Sequence, residues 1–289
     1  MKKPLFSGVC TALVTPFIYD RVNYPLIEQL LKYQLDAGVS AFVLGGTTGE
    51  APTLSDSEKL AIFKRAKSYI GNTATLIAGT GSNSTEHTIK MSIGAEKAGA
   101  NGLLVVAPYY NKGNPDGLYR HFEAVANAVN IPIIIYNVPS RTGIDIPISV
   151  YQQLSALPNI AGVKEASTDI TKLIRIRKEC PKDFYIWSGN DDQIVPAIAC
   201  GALGIISVLS NIFPEDTLML TEAALAGDFD TAAALQADYL PVIDLLFREV
   251  NPIPIKYAMK HIGFDCGPCR LPLGTLSAEH RNQIDLLFQ

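Results

Sequence analysis

Short apolar runs recur along the chain at residues 8–14, 39–44, 75–78, 103–106, 133–136, 160–163, 184–187 and 203–208. Runs of this length, bounded by glycine, proline and hydroxyl residues, read as buried parallel strands. Between them the apolar period changes to that of helices. Ile27, Leu30, Leu31 and Leu35 form one such stripe, Ile89, Ile93 and Ala98 a second, and Leu173, Ile174 and Ile176 a third. Further helices are expected over residues 115–129 and 148–157. Ser55-Asp56-Ser57-Glu58 has the form of a capping box, in which serine and glutamate satisfy each other's free amides, so a helix is expected from near Asp56 towards Tyr69. Past residue 213 the strands stop and helical spacing takes over, with Leu235, Leu240, Ile243, Leu246 and Phe247, then residues 258–262 and 281–288.

Eight alternating units predict the α/β class and an eight-stranded parallel β/α (TIM) barrel, over residues 1–225, with a C-terminal helical appendage over 226–289. The competing fold is an open doubly wound sheet. It lacks support, because no G-x-G-x-x-G follows the first strand, Gly79-Thr80-Gly81 runs into serine where the third glycine belongs, and there is no Walker-type loop.

Composition narrows the function classes. Apolar residues make up 48% and charged residues 18%, as in a compact protein with a large interior, and the net charge of -4 comes without a basic block. A nucleic-acid surface is therefore not expected. The run at residues 131–136 is strand-sized and broken by Pro132, far short of a membrane span, and no leader-like apolar stretch follows Met1-Lys2-Lys3-Pro4, so a cytoplasmic protein is expected. Five scattered cysteines argue against a disulfide framework. Cys266-Gly267-Pro268-Cys269 has the letters of a redox motif, yet Pro272 would interrupt the helix such a motif opens, and a turn is expected instead. His87, His121, His261 and His280 show no ligand spacing, so no metal is expected, and no G-x-S-x-G elbow is present.

The chemistry gathers where strands end, which in a barrel is one rim. Thr47 and Thr48 follow the second strand, Tyr109 and Tyr110 the fourth, Tyr136 lies on the fifth with Arg141 just beyond, and Lys164 ends the sixth. Side chains alternate along a strand, so an inward Lys164 leaves Glu165 facing outward. A free lysine titrates near 10.4, which leaves about one neutral amine in a few thousand at pH 7. Burial in an apolar barrel would raise that share and make Lys164 a nucleophile for carbonyls. A protonated imine is an electron sink that eases loss of a proton from the neighbouring carbon, with tyrosine and threonine hydroxyls as carriers. Glycines around Thr47 and Thr48 suit a carboxylate, and Arg141 suits a second one through a two-point contact. Asn190-Asp191-Asp192 is read as a helix N-cap, and Asn251-Pro252-Ile253-Pro254 as a rigid turn before a helix.

At these positions the chain resembles the dihydrodipicolinate synthase and N-acetylneuraminate lyase family of class I aldolase-type barrels. The resemblance runs over essentially the whole chain. It is carried by Gly46-Thr47-Thr48-Gly49-Glu50, Pro108-Tyr109-Tyr110-Asn111, Tyr136-Asn137-Val138-Pro139-Ser140-Arg141-Thr142-Gly143, Val163-Lys164-Glu165-Ala166, Ser188-Gly189-Asn190-Asp191, Gly204-Ile205-Ile206-Ser207-Val208 and Asn251-Pro252-Ile253-Pro254-Ile255-Lys256. It implies a Schiff base between Lys164 and pyruvate, with no separate cofactor, and Tyr136 as proton donor and acceptor. Thr47 and Tyr110 would complete a proton relay, Tyr110 reaching in from a neighbouring subunit of a homo-oligomer, a dimer or a tetramer of tight dimers. Thr48, with Thr47, would bind the pyruvate carboxylate, the backbone at Ile206 would complete that pocket, and Gly189 would be a further substrate-binding position. Arg141 implies the synthase branch, in which it holds the carboxylate of aspartate 4-semialdehyde on the route to diaminopimelate and lysine. Aldolases for sialic acid or 2-keto-3-deoxy sugar acids, and a barrel that binds without catalysing, are the alternatives. Members inhibited by lysine carry a glutamate where His87 stands and commonly a histidine where Lys59 stands. Asn83 and Tyr109 still fit that site, but with its acidic anchor missing and a cation added, lysine feedback is expected to be weak or absent.

Overall fold

The computed structural model describes residues 2–289. Among these residues the strands are β1 (Gly8–Ala12), β2 (Phe17–Ile18), β3 (Arg21–Val22), β4 (Ala41–Leu44), β5 (Thr75–Gly79), β6 (Gly102–Val106), β7 (Ile133–Asn137), β8 (Ile160–Glu165), β9 (Tyr185–Ser188) and β10 (Gly204–Ser207). β2 and β3 form a separate antiparallel hairpin, and the other eight close into a barrel in which β1 pairs with both β4 and β10. All barrel pairs are parallel, as a strand-then-helix repeat requires.

Both faces of the sheet are buried, for different reasons. Ile133, Ile135, Val163, Ile186 and Ile205 pack outward against the helices, whereas Cys10, Val43, Ile77, Leu104, Ile134, Tyr136 and Trp187 fill the barrel. Phe6 stacks on Trp187 at 5.1 Å and its carbonyl accepts from the indole at 3.3 Å, which packs the segment ahead of β1 into the barrel interior.

Helix starts follow the local chemistry. The capping box forms as expected: the Glu58 amide donates to Ser55 Oγ at 3.2 Å and the Ser55 amide donates to Glu58 Oε2 at 2.8 Å, opening the helix Asp56–Ile70. Three short elements were not anticipated. The hairpin has only two residues per strand, the helix Pro139–Thr142 is one turn, and the helix Ile194–Ala199 has six residues with Pro196 in its first turn, where a missing N–H costs nothing. The helices Phe229–Arg248, Ile253–Ala258 and Ala278–Leu287 form the C-terminal appendage. Among the described residues no helix is long and apolar enough to cross a membrane.

Cys266 and Cys269 are free thiols, and burial pushes each up to about 12, the reverse of what a reactive motif needs. Their segment is an irregular strap rather than a compact turn. Phe17 donates to the Cys266 carbonyl at 2.9 Å, and Gly267 at φ +69 presses so close to Phe17 that an added Cβ would lie 2.2 Å from its carbonyl oxygen.

Candidate active site

Register brings the central residues side by side. Tyr136 on β7 is paired with Lys164 on β8, which is paired with Trp187 on β9. Side chains at one register level of a parallel sheet share a face, so the lysine stands between two aromatic neighbours. Lys164 and Tyr136 are each 6% exposed, and Nζ sits 4.4 Å from the centroid of the Tyr136 ring. Glu165 faces the other way, as alternation predicts. It accepts from Asn137 Nδ2 at 2.7 Å and from the Tyr151 hydroxyl at 3.2 Å and lies 3.5 Å from Lys172, so it is committed to the outer layer.

Above Lys164 is a cavity of about 150 Å³. Thr47, Thr48, Tyr136, Arg141, Lys164 and Gly189 all line it. Gly189 is there for space: a Cβ on it would stand 2.8 Å from Lys164 Cε and 2.7 Å from the Ala166 methyl. Ile206 is fully buried on β10, in register with Cys10, and Val208 just beyond it reaches the cavity wall. Tyr110, like Ile206, does not line this cavity. Its backbone has φ +71 and its side chain is 86% exposed. Its amide donates to the Thr142 carbonyl at 3.1 Å, which ties its loop to the segment carrying Arg141.

Two residues matter here that the sequence did not single out for the site. Asn251, expected to make a turn before a helix, does so ahead of Ile253–Ala258, but it also enters the cavity. Its side-chain amide donates to Thr48 Oγ1 at 3.0 Å, which leaves the threonine hydroxyl hydrogen free for another acceptor, and its carbonyl accepts from Arg141 Nη2 at 3.2 Å. Nothing local in Asn-Pro-Ile-Pro signals a partner 203 residues away. Asp191 corrects the N-cap expectation. The short 3-10 turn Asp191–Gln193 has no side-chain cap, and the Asp191 carboxylate is 1% exposed and accepts the Val208 and Leu209 amides at 2.9 and 3.0 Å. It braces the end of β10, where two free amides outcompete a helix start. Burial raises its carboxyl above the usual range, against the pull of hydrogen bonds and of Lys164.

A buried ion pair fixes the loop carrying the two threonines. Glu50, at φ +57, is held by Lys256 Nζ at 2.8 Å and by the Arg270 amide at 2.8 Å, and neither charged side chain exceeds 2% exposure. The site therefore combines an amine in a dry barrel mouth, a phenol beside it, a hydroxyl poised to donate, and a guanidinium at the entrance. This set can form an imine with a small keto acid and hold a second carboxylate.

Residues 5–289 match the model of the dihydrodipicolinate synthetase family. A 4-hydroxy-tetrahydrodipicolinate synthase of Exiguobacterium sp. is 46% identical over 275 residues, which is 95% of this chain and 94% of the relative. The crystal structure of dihydrodipicolinate synthase from Aquifex aeolicus superposes with a TM-score of 0.96 at 38% identity, covering 98% of this chain and 97% of that one. A monomeric dihydrodipicolinate synthase variant superposes equally well, at 0.96 and 38%, over 98% of this chain and 96% of its own.

Proposed function

We propose, from the premise that this chain belongs to the dihydrodipicolinate synthetase family, how its barrel mouth carries out the family reaction. The protein is a lyase of the Schiff-base type that condenses pyruvate with L-aspartate 4-semialdehyde to 4-hydroxy-tetrahydrodipicolinate, the step that feeds diaminopimelate and lysine synthesis. It needs no external cofactor, because the imine itself is the electron sink. The sugar-acid aldolase and the non-catalytic barrel are set aside.

Lys164 attacks the pyruvate ketone, water leaves, and a protonated imine forms. Loss of a methyl proton gives the enamine, whose carbon adds to the aldehyde; the amino group of the semialdehyde then attacks the imine carbon, which closes the ring and expels the Lys164 amine. Tyr136, beside the amine, moves these protons together with Thr47 and with Tyr110 from a second copy of the chain. The outward side chain of Tyr110 supports that last role and with it a homo-oligomer, a dimer or a tetramer of tight dimers acting in the cytoplasm. Thr48 donates its hydroxyl to the pyruvate carboxylate, with Gly189 and the backbone at Ile206 shaping that end. Arg141 holds the carboxylate of the semialdehyde. Residues 1–225 make the catalytic barrel and 226–289 its helical region.

The observation that carries the reading is Lys164, 6% exposed at a strand end with its amine 4.4 Å from the Tyr136 ring centroid. Borohydride reduction in the presence of pyruvate tests it: a stable adduct mapping to Lys164 is expected, and its absence refutes the scheme. Arg141→Ala keeps that adduct but raises the KM for the semialdehyde about 10- to 100-fold, the worth of a charged hydrogen-bond pair. An unchanged KM would remove Arg141 from substrate recognition.

A further inference from the structure

β8 departs from even pairing just before it reaches the site. Ile133 is paired with Ile160 but Ile134 with Gly162, so β8 carries one more residue than β7, at Ala161. Ile160 and Val163 both pack in the outer core although they are three positions apart, a spacing that unbroken alternation forbids. The extra residue is what sets Lys164, and not Val163, opposite Tyr136. Pairing without it would shift β8 by one residue, turning Lys164 towards the helices and Glu165 into the barrel.

What opposes that slip lies on the outer face. Glu165 is paired with Asn137, one step beyond Lys164 and Tyr136, and is 3% exposed with both carboxylate oxygens engaged. Oε1 accepts Asn137 Nδ2 at 2.7 Å and the Ser167 amide at 2.9 Å; Oε2 accepts the Tyr151 hydroxyl at 3.2 Å and lies 3.5 Å from Lys172 Nζ. Burial, and then the Glu165 and Asp145 carboxylates, raise the Tyr151 phenol well above its usual range, so it keeps the proton it donates. Asn137 is committed as fully. Its Nδ2 also donates to Asp145 Oδ1 at 2.8 Å, its Oδ1 accepts the Ile146 amide at 3.1 Å, and Asp145 in turn meets Lys172. The Glu165 carbonyl completes the joint by accepting the Gly189 amide at 2.7 Å. One residue thus ties together the ends of β7, β8 and β9, which carry Tyr136, Lys164 and Gly189 into the chamber.

Stability alone does not account for such a cluster, because buried charges are costly to desolvate and apolar replacements of equal volume are often as stable. Fixing a register is the best-attested service of a buried polar group. We infer that Glu165 is a positioning residue: by engaging four donors on the outer face it holds the bulged register of β8 and so the placement of Lys164 against Tyr136. The kinetic side of this rests on the imine chemistry proposed above; the geometric side does not.

The test compares Glu165→Ala with Leu154→Ala. Leu154 is fully buried on the helix Ile148–Leu154 that also carries Tyr151, so its truncation loosens the same layer without touching the network. In Glu165→Ala, quenched-flow borohydride trapping at saturating pyruvate should slow at least about tenfold, with the KM for pyruvate held within about twofold. Glu165→Gln keeps the acceptor for Asn137 and Ser167 and should recover to within about threefold of the parent, while Leu154→Ala should trap at the parent rate despite a lowered Tm. Crystal structures of the variants give a reading that needs no reaction: the Lys164 amine, 4.4 Å from the Tyr136 ring centroid in the parent, should move by about 1 Å in Glu165→Ala and stay in place in Leu154→Ala. Asn137→Ala, with the same expectations, stands in should Glu165→Ala not fold. Trapping within about twofold of the parent, equal slowing in Leu154→Ala, no recovery in Glu165→Gln or an unmoved amine overturns the inference. No adduct in the parent counts against the imine scheme, and the crystallographic comparison then decides the positioning role by itself.

Discussion

Gly189→Ala isolates how closely the nucleophile is held. Gly189 is not in the left-handed region, so alanine meets no backbone penalty and the effect is steric alone. The new methyl would stand 2.7 Å from the Ala166 Cβ and 2.8 Å from Lys164 Cε, whereas carbon atoms rest at about 3.5–4.0 Å. Ala166 has no torsion with which to retreat, and the Gly189 amide is bonded to the Glu165 carbonyl at 2.7 Å, so most of the relief falls on the lysine. A displacement approaching 1 Å at a reacting atom costs about 100-fold in rate. Overpacking of this kind costs about 1–3 kcal/mol of stability, at roughly 2–4 °C of Tm per kcal/mol in a chain of this class. The assay is quenched-flow borohydride trapping of the pyruvate adduct, read by mass, alongside calorimetric melting. Gly274→Ala, where nothing lies within 4 Å of the added carbon, is the control and should match the parent. Trapping within about twofold of the parent with an unshifted Tm would refute the view that Gly189 exists to make room for Lys164.

Lys256→Met strands the Glu50 carboxylate with one amide partner in a dry setting and should cost about 3–5 kcal/mol in guanidinium unfolding, with Glu50→Gln/Lys256→Met recovering part of it; a loss below about 1 kcal/mol would contradict the buried pair's role. Burial with an unpartnered Nε2 depresses the His121 imidazole from 6.5 to about 4. Below 6.5 the unfolded chain takes up a proton that the folded chain refuses, so stability present above that pH should fall by about 3 kcal/mol as pH drops towards 4. Denaturant melts from neutral pH downward should lose that slope in His121→Phe, and an unaltered slope would place its origin elsewhere. L-Lysine added to the condensation assay should leave the rate unchanged if, as the family resemblance implies, His87 stands where lysine-inhibited members carry a glutamate; inhibition at sub-millimolar lysine would overturn that expectation.

Much of the fold was legible because burial on both faces writes strands as unbroken apolar runs, such as Ile133-Ile134-Ile135 in β7. Elements too short to carry a period were not: the hairpin turns through Tyr19 and Asp20 at positive φ, and Ile194–Ala199 spans less than two turns. The site divides along the same line. Residues at strand ends could be placed by counting, since the barrel brings every such end to one rim; Thr47, Thr48, Tyr136, Arg141 and Lys164 do share a cavity. Asn251 and Asp191 could not, because their importance lies in partners that only the closed structure supplies. Tyr110 follows β6 as expected, but it is 86% exposed and does not line its own chain's cavity.

The contact of Asn251 with Thr48, and of Lys256 with Glu50, bears on how the protein is made as well as on how it works. During synthesis the barrel strands leave the ribosome in order, and the ring can zip shut once β10 meets β1. At that moment the threonine loop still waits for residues about forty positions downstream. A message truncated between Leu225 and Asn251 would thus leave the barrel without the side chain that holds Thr48 and the lysine that holds Glu50. The mouth of the barrel is completed only after the ring itself can close.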